Sequence, residues 1–156
     1  MATTGDKSIF ATELDANDST NQEGELGVLR RSTDGITYRY VQIGTGGCTT
    51  GQALHEVTAG TDTILKIVPA QAAEVPVAAF AQSTITANYY GWVIWQGPVA
   101  NAICADASMA AGARLRNAQV GLVAGRVSGT GANQQTSFAR TAAGSTGATF
   151  KCVIRN

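Results

Sequence analysis

The sequence has few of the residues that usually build catalytic and metal-binding sites. Its 156 residues include one histidine, His55, and three cysteines, Cys48, Cys104 and Cys152, without a CxxC pair. Zinc centres need clustered Cys and His ligands, and disulfide-rich folds use dense, even sets of cysteines. We therefore expect buried, reduced thiols that act as small apolar side chains, with no metal, no cofactor and no disulfide framework.

Charge and long apolar runs are also scarce. Charged residues make up 14% of the chain. No apolar run approaches the ~20 residues of a membrane helix, and residues 1–10 do not resemble a signal peptide. A basic stripe and an RNA-binding aromatic motif are both missing. These absences predict synthesis in a reducing cytoplasm and no membrane or nucleic-acid partner.

Glycine is abundant, with 18 residues spread along the chain. Glycine permits tight turns, and the accompanying Val, Ile and Thr suit pleated strands. Strand-like runs bounded by turn residues occur at 36–43, 63–68, 77–82, 89–96, 99–105, 120–127, 137–140 and 149–154. With about eight strands and no amphipathic helix, the sequence predicts an all-β domain, either a compact sandwich or a small barrel.

The aromatic run YYGWVIWQ at residues 89–96 is followed by Gly97 and Pro98 and then by a second strand-like run, 99–105. Gly-Pro is a turn signal, so this arrangement predicts a β-hairpin. The closing pair, 137–140 with 149–154, is predicted in the same way.

Strand periodicity separates the aromatic side chains of this run into two sets. Tyr90 and Trp92 lie on one face, whereas Tyr89 and Trp95 lie on the other. Because one face of the strand belongs to the core, we assign Tyr90, Trp92, Trp95 and Pro98 to the core or a subunit interface.

The first 27 residues differ in charge from the rest. Residues 1–27 contain six acidic residues and one lysine, a net charge of −5, whereas residues 28–156 contain ten basic and five acidic residues, a net charge of +5. Few large apolar residues are present to offset the entropy of ordering this segment. We expect an acidic, flexible N-terminal arm (1–27) on a β-domain (28–156), with Ile9, Phe10 and Leu14 as anchors on a neighbouring subunit or the assembly. The alternative is a solubilising tail.

Two patterns carry a weak suggestion of chemistry. The run GTGGCTTG at residues 44–51 lacks the Lys-Ser/Thr and the following helix of a phosphate-binding loop, so we expect a wide surface loop. Cys48 and His55 could form a thiol nucleophile and its base, but no orienting third group is evident. We predict no catalytic residues.

Several motifs resemble those of small capsid decoration proteins of tailed bacteriophages. The chain contains NYYGWVIWQGPV at residues 88–99, then AAGARL at 110–115 and GRV at 125–127. In that family a YGWV…GP hairpin, an AG..L step and a late GRA-like strand follow in this order. The likeness covers roughly residues 28–154; Val127 replaces the usual alanine, and the acidic arm lies outside it.

The resemblance implies a cement, or auxiliary head, protein that binds the outer surface of a phage capsid and stabilises it. It implies a compact, β-tulip-type barrel-like domain, the major capsid protein as partner, self-association as a homotrimer, and location in the virion. Low charge and many small residues suit extended close contacts of this kind. The competing interpretation is an adhesive or carbohydrate-binding module that uses Trp92, Trp95 and Tyr90 as a stacking surface.

Overall fold

The structure is a computed structural model that describes residues 14, 18–56, 64–67, 77–104, 111–112, 114–119, 122–126, 138–141 and 148–154. The described part of the chain contains strands and turns and no helix. The predicted all-β class is therefore confirmed for these residues.

Ten strands are present in the described residues. They are β1 (Leu29–Arg31), β2 (Thr37–Ile43), β3 (Ala53–Glu56), β4 (Ile64–Ile67), β5 (Ala79–Ala81), β6 (Tyr90–Ile103), β7 (Arg114–Gln119), β8 (Leu122–Arg126), β9 (Phe138–Ala139) and β10 (Thr149–Ile154). The predicted strands at 36–43, 63–68 and 149–154 are confirmed within a residue at each end. The predicted pairing of the last two strands, β9 with β10, is also confirmed.

Strand pairing connects five of the strands in a closed cycle. The order is β2-β4-β3-β5-β6, and β6 pairs again with β2. All of these pairings are antiparallel except β2 with β4, which is parallel. We call this set the strand ring. β1 adds to its side as an edge strand, antiparallel to β2.

The second group of strands, which we call the outer sheet, extends from the far half of β6 in the order β6-β10-β9-β7-β8. The same 14-residue strand β6 therefore belongs to both groups. Its first half pairs with β2 and β5, and its second half, from Gly97 onward, pairs with β10.

The predicted hairpin at Gly97-Pro98 is wrong. The chain continues as one strand through both residues, because β10 supplies a new partner where β2 and β5 end. Gly97 has a φ of +112°, a conformation that glycine adopts readily. Gly97 therefore permits the change of partner instead of reversing the chain.

Two apolar clusters lie on opposite faces of the strands they share. The ring core contains Val41, Ile43, Cys48, Leu54, Ala79, Ala81, Ile85 and Val93. The joint core contains Ala53, Val77, Phe80, Ile94, Val99, Ala102, Cys104, Ala139, Phe150, Cys152 and Ile154. Neighbouring residues such as Val93 and Ile94 enter different cores, as the alternation of a strand requires. The joint core holds the strand ring against the outer sheet.

The loop at residues 44–51 differs from the predicted wide surface loop. Gly47, Cys48 and Gly51 are buried, and only Thr45, Gly46, Thr49 and Thr50 are exposed. Cys48 and Ile85 exchange two backbone hydrogen bonds, of 2.9 and 3.0 Å. This pairing draws the loop onto the ring core.

Residues 18–27, which belong to the predicted arm, contact the strand ring. Ser19 and Tyr90 exchange backbone hydrogen bonds of 3.1 and 2.9 Å, and the Gly27 amide donates to the carbonyl of Tyr40 at 2.7 Å. The Asp18 carboxylate accepts from the Thr86 amide at 2.6 Å and from its hydroxyl at 2.9 Å. The domain boundary at Gly27 stays a prediction, but these contacts hold residues 18–27 on the β-domain.

Candidate functional site

A cleft of about 420 Å³ lies where β6 passes from the strand ring to the outer sheet. A β-bulge helps to form it, since Phe150 pairs with Ala102 and Cys152 with Val99, which leaves one extra residue on β6. Bulges re-aim side chains and often occur beside functional sites. Here the bulge brings Ala100 and Asn101 to the cleft.

The floor of the cleft is apolar and comes from both groups of strands. It contains Ile36, Tyr38, Ala81, Ile94, Val99 and Cys152. Tyr38 is its one floor residue with a polar tip. Burial, and secondarily the charge of Asp34, raise the pKa of Tyr38 above its ordinary value of 10.0, so its hydroxyl stays protonated at neutral pH.

The rim of the cleft is polar and carries two cations. It contains Thr50, Gln82, Asn101, Arg140 and Lys151. Arg140 and Lys151 are exposed, and the Arg140 amide donates to the Lys151 carbonyl at 2.7 Å. The Lys151 amide in turn donates to the Thr141 hydroxyl at 2.9 Å. These bonds fix the end of β9 against β10, where Arg140 and Lys151 are both among the lining residues of the cleft.

The opposite side of the rim is fixed by the loop after Cys48. The Gly51 amide donates to the Ala81 carbonyl at 2.8 Å, and the Ile103 amide donates to the Gly51 carbonyl at 3.0 Å. A neutral apolar floor with two cations at its edge is suited to binding an apolar group that has acidic neighbours.

Of the four residues assigned to the core or an interface, Pro98 lines this cleft and is exposed, whereas Tyr90, Trp92 and Trp95 are not among its lining residues. Trp92 is only 1% exposed, and its ring lies 5.3 Å from that of Tyr40. The ring of Tyr90 stacks on Tyr40 from the other direction at 6.5 Å. Tyr90 and Trp92 therefore share a face as predicted, and Trp92 has no free surface on which a sugar could stack.

Trp95 is half-buried and packs against the ring core with Tyr89. The guanidinium of Arg39 lies 4.3 Å from the centre of its ring. This is the geometry of a cation–π contact, and it occupies one face of the indole. The structure therefore gives little support to a carbohydrate platform made of Trp92, Trp95 and Tyr90.

Cys48, the thiol of the Cys48–His55 pair considered above, is buried in the loop between β2 and β3. Burial raises the pKa of the Cys48 thiol to about 11, although a backbone hydrogen bond from Ile85 opposes the shift. The nucleophile of such an enzyme is the thiolate, which a pKa this high makes rare near neutral pH. His55 lies on β3, opposite Lys66 of β4.

Of the predicted arm anchors, Leu14 lies beside Gln82, whereas Ile9 and Phe10 lie outside the described residues. The carbonyl of Leu14 accepts a hydrogen bond of 2.6 Å from the side chain of Gln82, which lines the cleft.

A scan against protein-family models, a search of curated proteins and a search of solved structures find no match to this chain. Within the described ranges, no three His, Cys, Asp or Glu side chains are grouped to hold a metal ion. Nor does that part of the chain include a helix of the length and hydropathy needed to cross a membrane.

The sequence did not identify Gln82, Asn101, Arg140 and Lys151 as neighbours. They come from four places in the chain, after β5, on β6, after β9 and on β10, which meet through the pairings of β5 with β6, β6 with β10 and β9 with β10. A partial signal exists in the alternation of residues 149–154, where Lys151 is exposed between the buried residues Phe150 and Cys152. The register that places Lys151 near Asn101 depends on the bulge, which periodicity does not reveal.

Proposed function

We propose that the chain is a capsid decoration protein that binds the outer surface of a phage head and stabilises it. The domain would be a compact, barrel-like β-structure of the β-tulip type with an N-terminal arm. Its partners would be the major capsid protein and further copies of itself, most simply in a trimer. It would be made in the host cytoplasm and end in the virion.

The observation that carries the proposal is the place of the family-like sequence run in the fold. The run YGWVIWQGPV begins β6, the strand that pairs with β2, β5 and β10. Trp92, Val93 and Ile94 within it are buried. The likeness therefore falls on residues that determine the architecture, which supports a shared structural role.

The character of the described surface supports a role in binding over one in catalysis. The cleft combines an apolar floor with two cations, and the buried Cys48 thiol is poorly placed to become a nucleophile.

The test uses heads of the phage that encodes the chain, prepared without it and mixed with the purified protein. We expect saturable co-sedimentation at a fixed ratio to the capsid protein, added density on the outside of the shell, and release of DNA at a higher temperature. Cys48→Ser and His55→Ala serve as matched controls that should bind normally. Failure to bind heads, together with retention of a glycan on an array, would replace the proposal with the adhesive-module alternative.

A further inference from the structure

The geometry points to the cleft as the docking site for the chain's own N-terminal segment, with Ile9 and Phe10 in the apolar floor. The inference does not depend on capsid binding, since it concerns the free protein. It differs from an arm that orders only on a neighbour or a capsid.

The position of Leu14 is the first argument. Its carbonyl is bound by Gln82, a residue of the cleft rim, so the described chain places Leu14 at the edge of the cleft. Phe10 lies four residues earlier, and an extended chain covers up to ~3.6 Å per residue, or roughly 14 Å over this interval. Phe10 is therefore held within roughly 14 Å of Leu14, whose carbonyl is bound by a residue of the cleft.

The chemistry of the two surfaces is the second argument. The segment offers two adjacent large apolar residues, Ile9 and Phe10, with the acidic residues Asp6 and Glu13 on either side. The cleft offers an apolar floor flanked by the cations Arg140 and Lys151. Apolar groups would meet apolar groups, and the acidic residues would lie near the positive rim.

The cleft is large enough for a few side chains, and the segment is tethered close to it. The volume of about 420 Å³ falls in the ~300–1,000 Å³ range of pockets that hold a small ligand or a few side chains. A segment tethered at the rim is also present at an effective concentration in the millimolar range, which favours the same chain over a second copy. Modest contacts would then be enough to keep the cleft filled.

The test is a disulfide cross-link in the full-length protein between Ser8→Cys, beside the apolar pair, and Asn101→Cys, on the rim. The native thiols compete little, because Cys48, Cys104 and Cys152 are buried. We expect a monomeric cross-linked product that forms at least about ten-fold faster than the product of the control pair Ser8→Cys and Thr45→Cys, as tethering at the cleft would require. Thr45 is exposed and does not line the cleft.

Two further variants separate docking from chance collision. Ile9→Asp with Phe10→Asp should reduce the rate for the Asn101 pair to that of the control pair, while the variant still unfolds cooperatively with only a small fall in melting temperature, from the loss of the docked segment. Arg140→Glu with Lys151→Glu should slow it severalfold. Equal rates for the two pairs, a rate that survives the Asp variants, or a product that is a cross-linked dimer would each overturn the inference.

Discussion

Along β6, residues 91–94 are buried without interruption, whereas residues 97–103 include exposed positions at 98, 100 and 101. The first half has strands on both sides, β2 and β5, and apolar clusters on both faces. The second half pairs with β10 and forms one wall of the cleft. One strand thus serves as the centre of the fold in its first half and as a wall of the cleft in its second. Substitutions in the first half should therefore affect stability, and those in the second should affect binding.

The largest expected effect is that of Trp92→Ala, in the first half. Removing a buried aromatic side chain typically costs ~3–5 kcal/mol, a large part of the ~5–15 kcal/mol that stabilises a domain. The matched control is Trp95→Ala, because Trp95 is only half-buried where it packs against the ring core. Urea unfolding should show a clearly larger loss for Trp92→Ala, or no soluble protein at all. Equal losses of unfolding free energy would mean that the two indole side chains contribute equally to stability.

The next effect concerns the junction between the halves and uses two glycines with nearly the same φ. Gly97 and Gly46 have φ values of +112° and +113°. A Cβ at Gly97 would meet the Gly35 carbonyl oxygen at 2.8 Å and the Ile36 Cα at 3.1 Å, whereas at Gly46 nothing lies within 4 Å. Gly46→Ala should cost only the conformational strain, about 1–3 kcal/mol.

Gly97→Ala should cost a similar conformational strain. It should also cost the energy needed to displace Gly35 and Ile36, in the turn before β2. The difference between the two variants in chemical unfolding therefore measures the packing of the β6 junction against that turn. If both alanine variants lose the same stability, the close approach of the Gly35 carbonyl is relieved at no cost.

These contrasts show where sequence reasoning succeeded and where it did not. The strand character of residues 89–105 and the two-face division of Tyr90 and Trp92 from Tyr89 and Trp95 followed from composition and periodicity. The predicted hairpin was wrong because a Gly-Pro pair looks the same in the sequence whether the chain turns there or continues as a strand that changes partners. That choice depends on β10, about 50 residues later in the chain. The cleft could not be predicted for the same reason, because its residues meet only through non-local pairing.

Buried thiols provide a third comparison, between the two cores, through pH. Burial raises the pKa of Cys48, in the ring core, to about 11 and that of Cys152, in the joint core, to about 12, from an ordinary value of 9.0. The unfolded chain therefore loses these protons at lower pH than the folded protein. Their contribution to stability is complete below pH 9 and is lost as the pH rises from 9 toward 11 and 12.

The unfolding free energy should accordingly fall above pH 9, by at most ~1.4 kcal/mol per pH unit for each thiol. Tyr38 and Tyr40, whose pKa values are also raised by burial, add to the decline from pH 10. Cys152→Ala should make the slope shallower even if it lowers stability at neutral pH. A stability curve that stays flat from pH 8 to pH 11 would contradict the burial of both thiols.

The smallest expected effect is local and concerns Asp18 and Ser19, which are hydrogen-bonded to Thr86 and to Tyr90 at the start of β6. Asp18 has a φ of +79° and accepts hydrogen bonds from both the amide and the hydroxyl of Thr86. Asp18→Ala removes both acceptors and leaves an unfavourable backbone conformation, for a cost of about 1–2 kcal/mol. Asp18→Asn keeps one carbonyl acceptor for the Thr86 amide and tolerates positive φ, so it should cost about half as much or less.

Because Ser19 follows directly and bridges to Tyr90, the loss should be seen in hydrogen exchange as faster opening of the Ser19 and Tyr90 amides. The exchange rates of the β10 amides should remain unchanged, since β10 pairs with the second half of β6. Faster exchange along β10 in Asp18→Ala would mean that the two halves of β6 open together and that the division between them does not extend to dynamics.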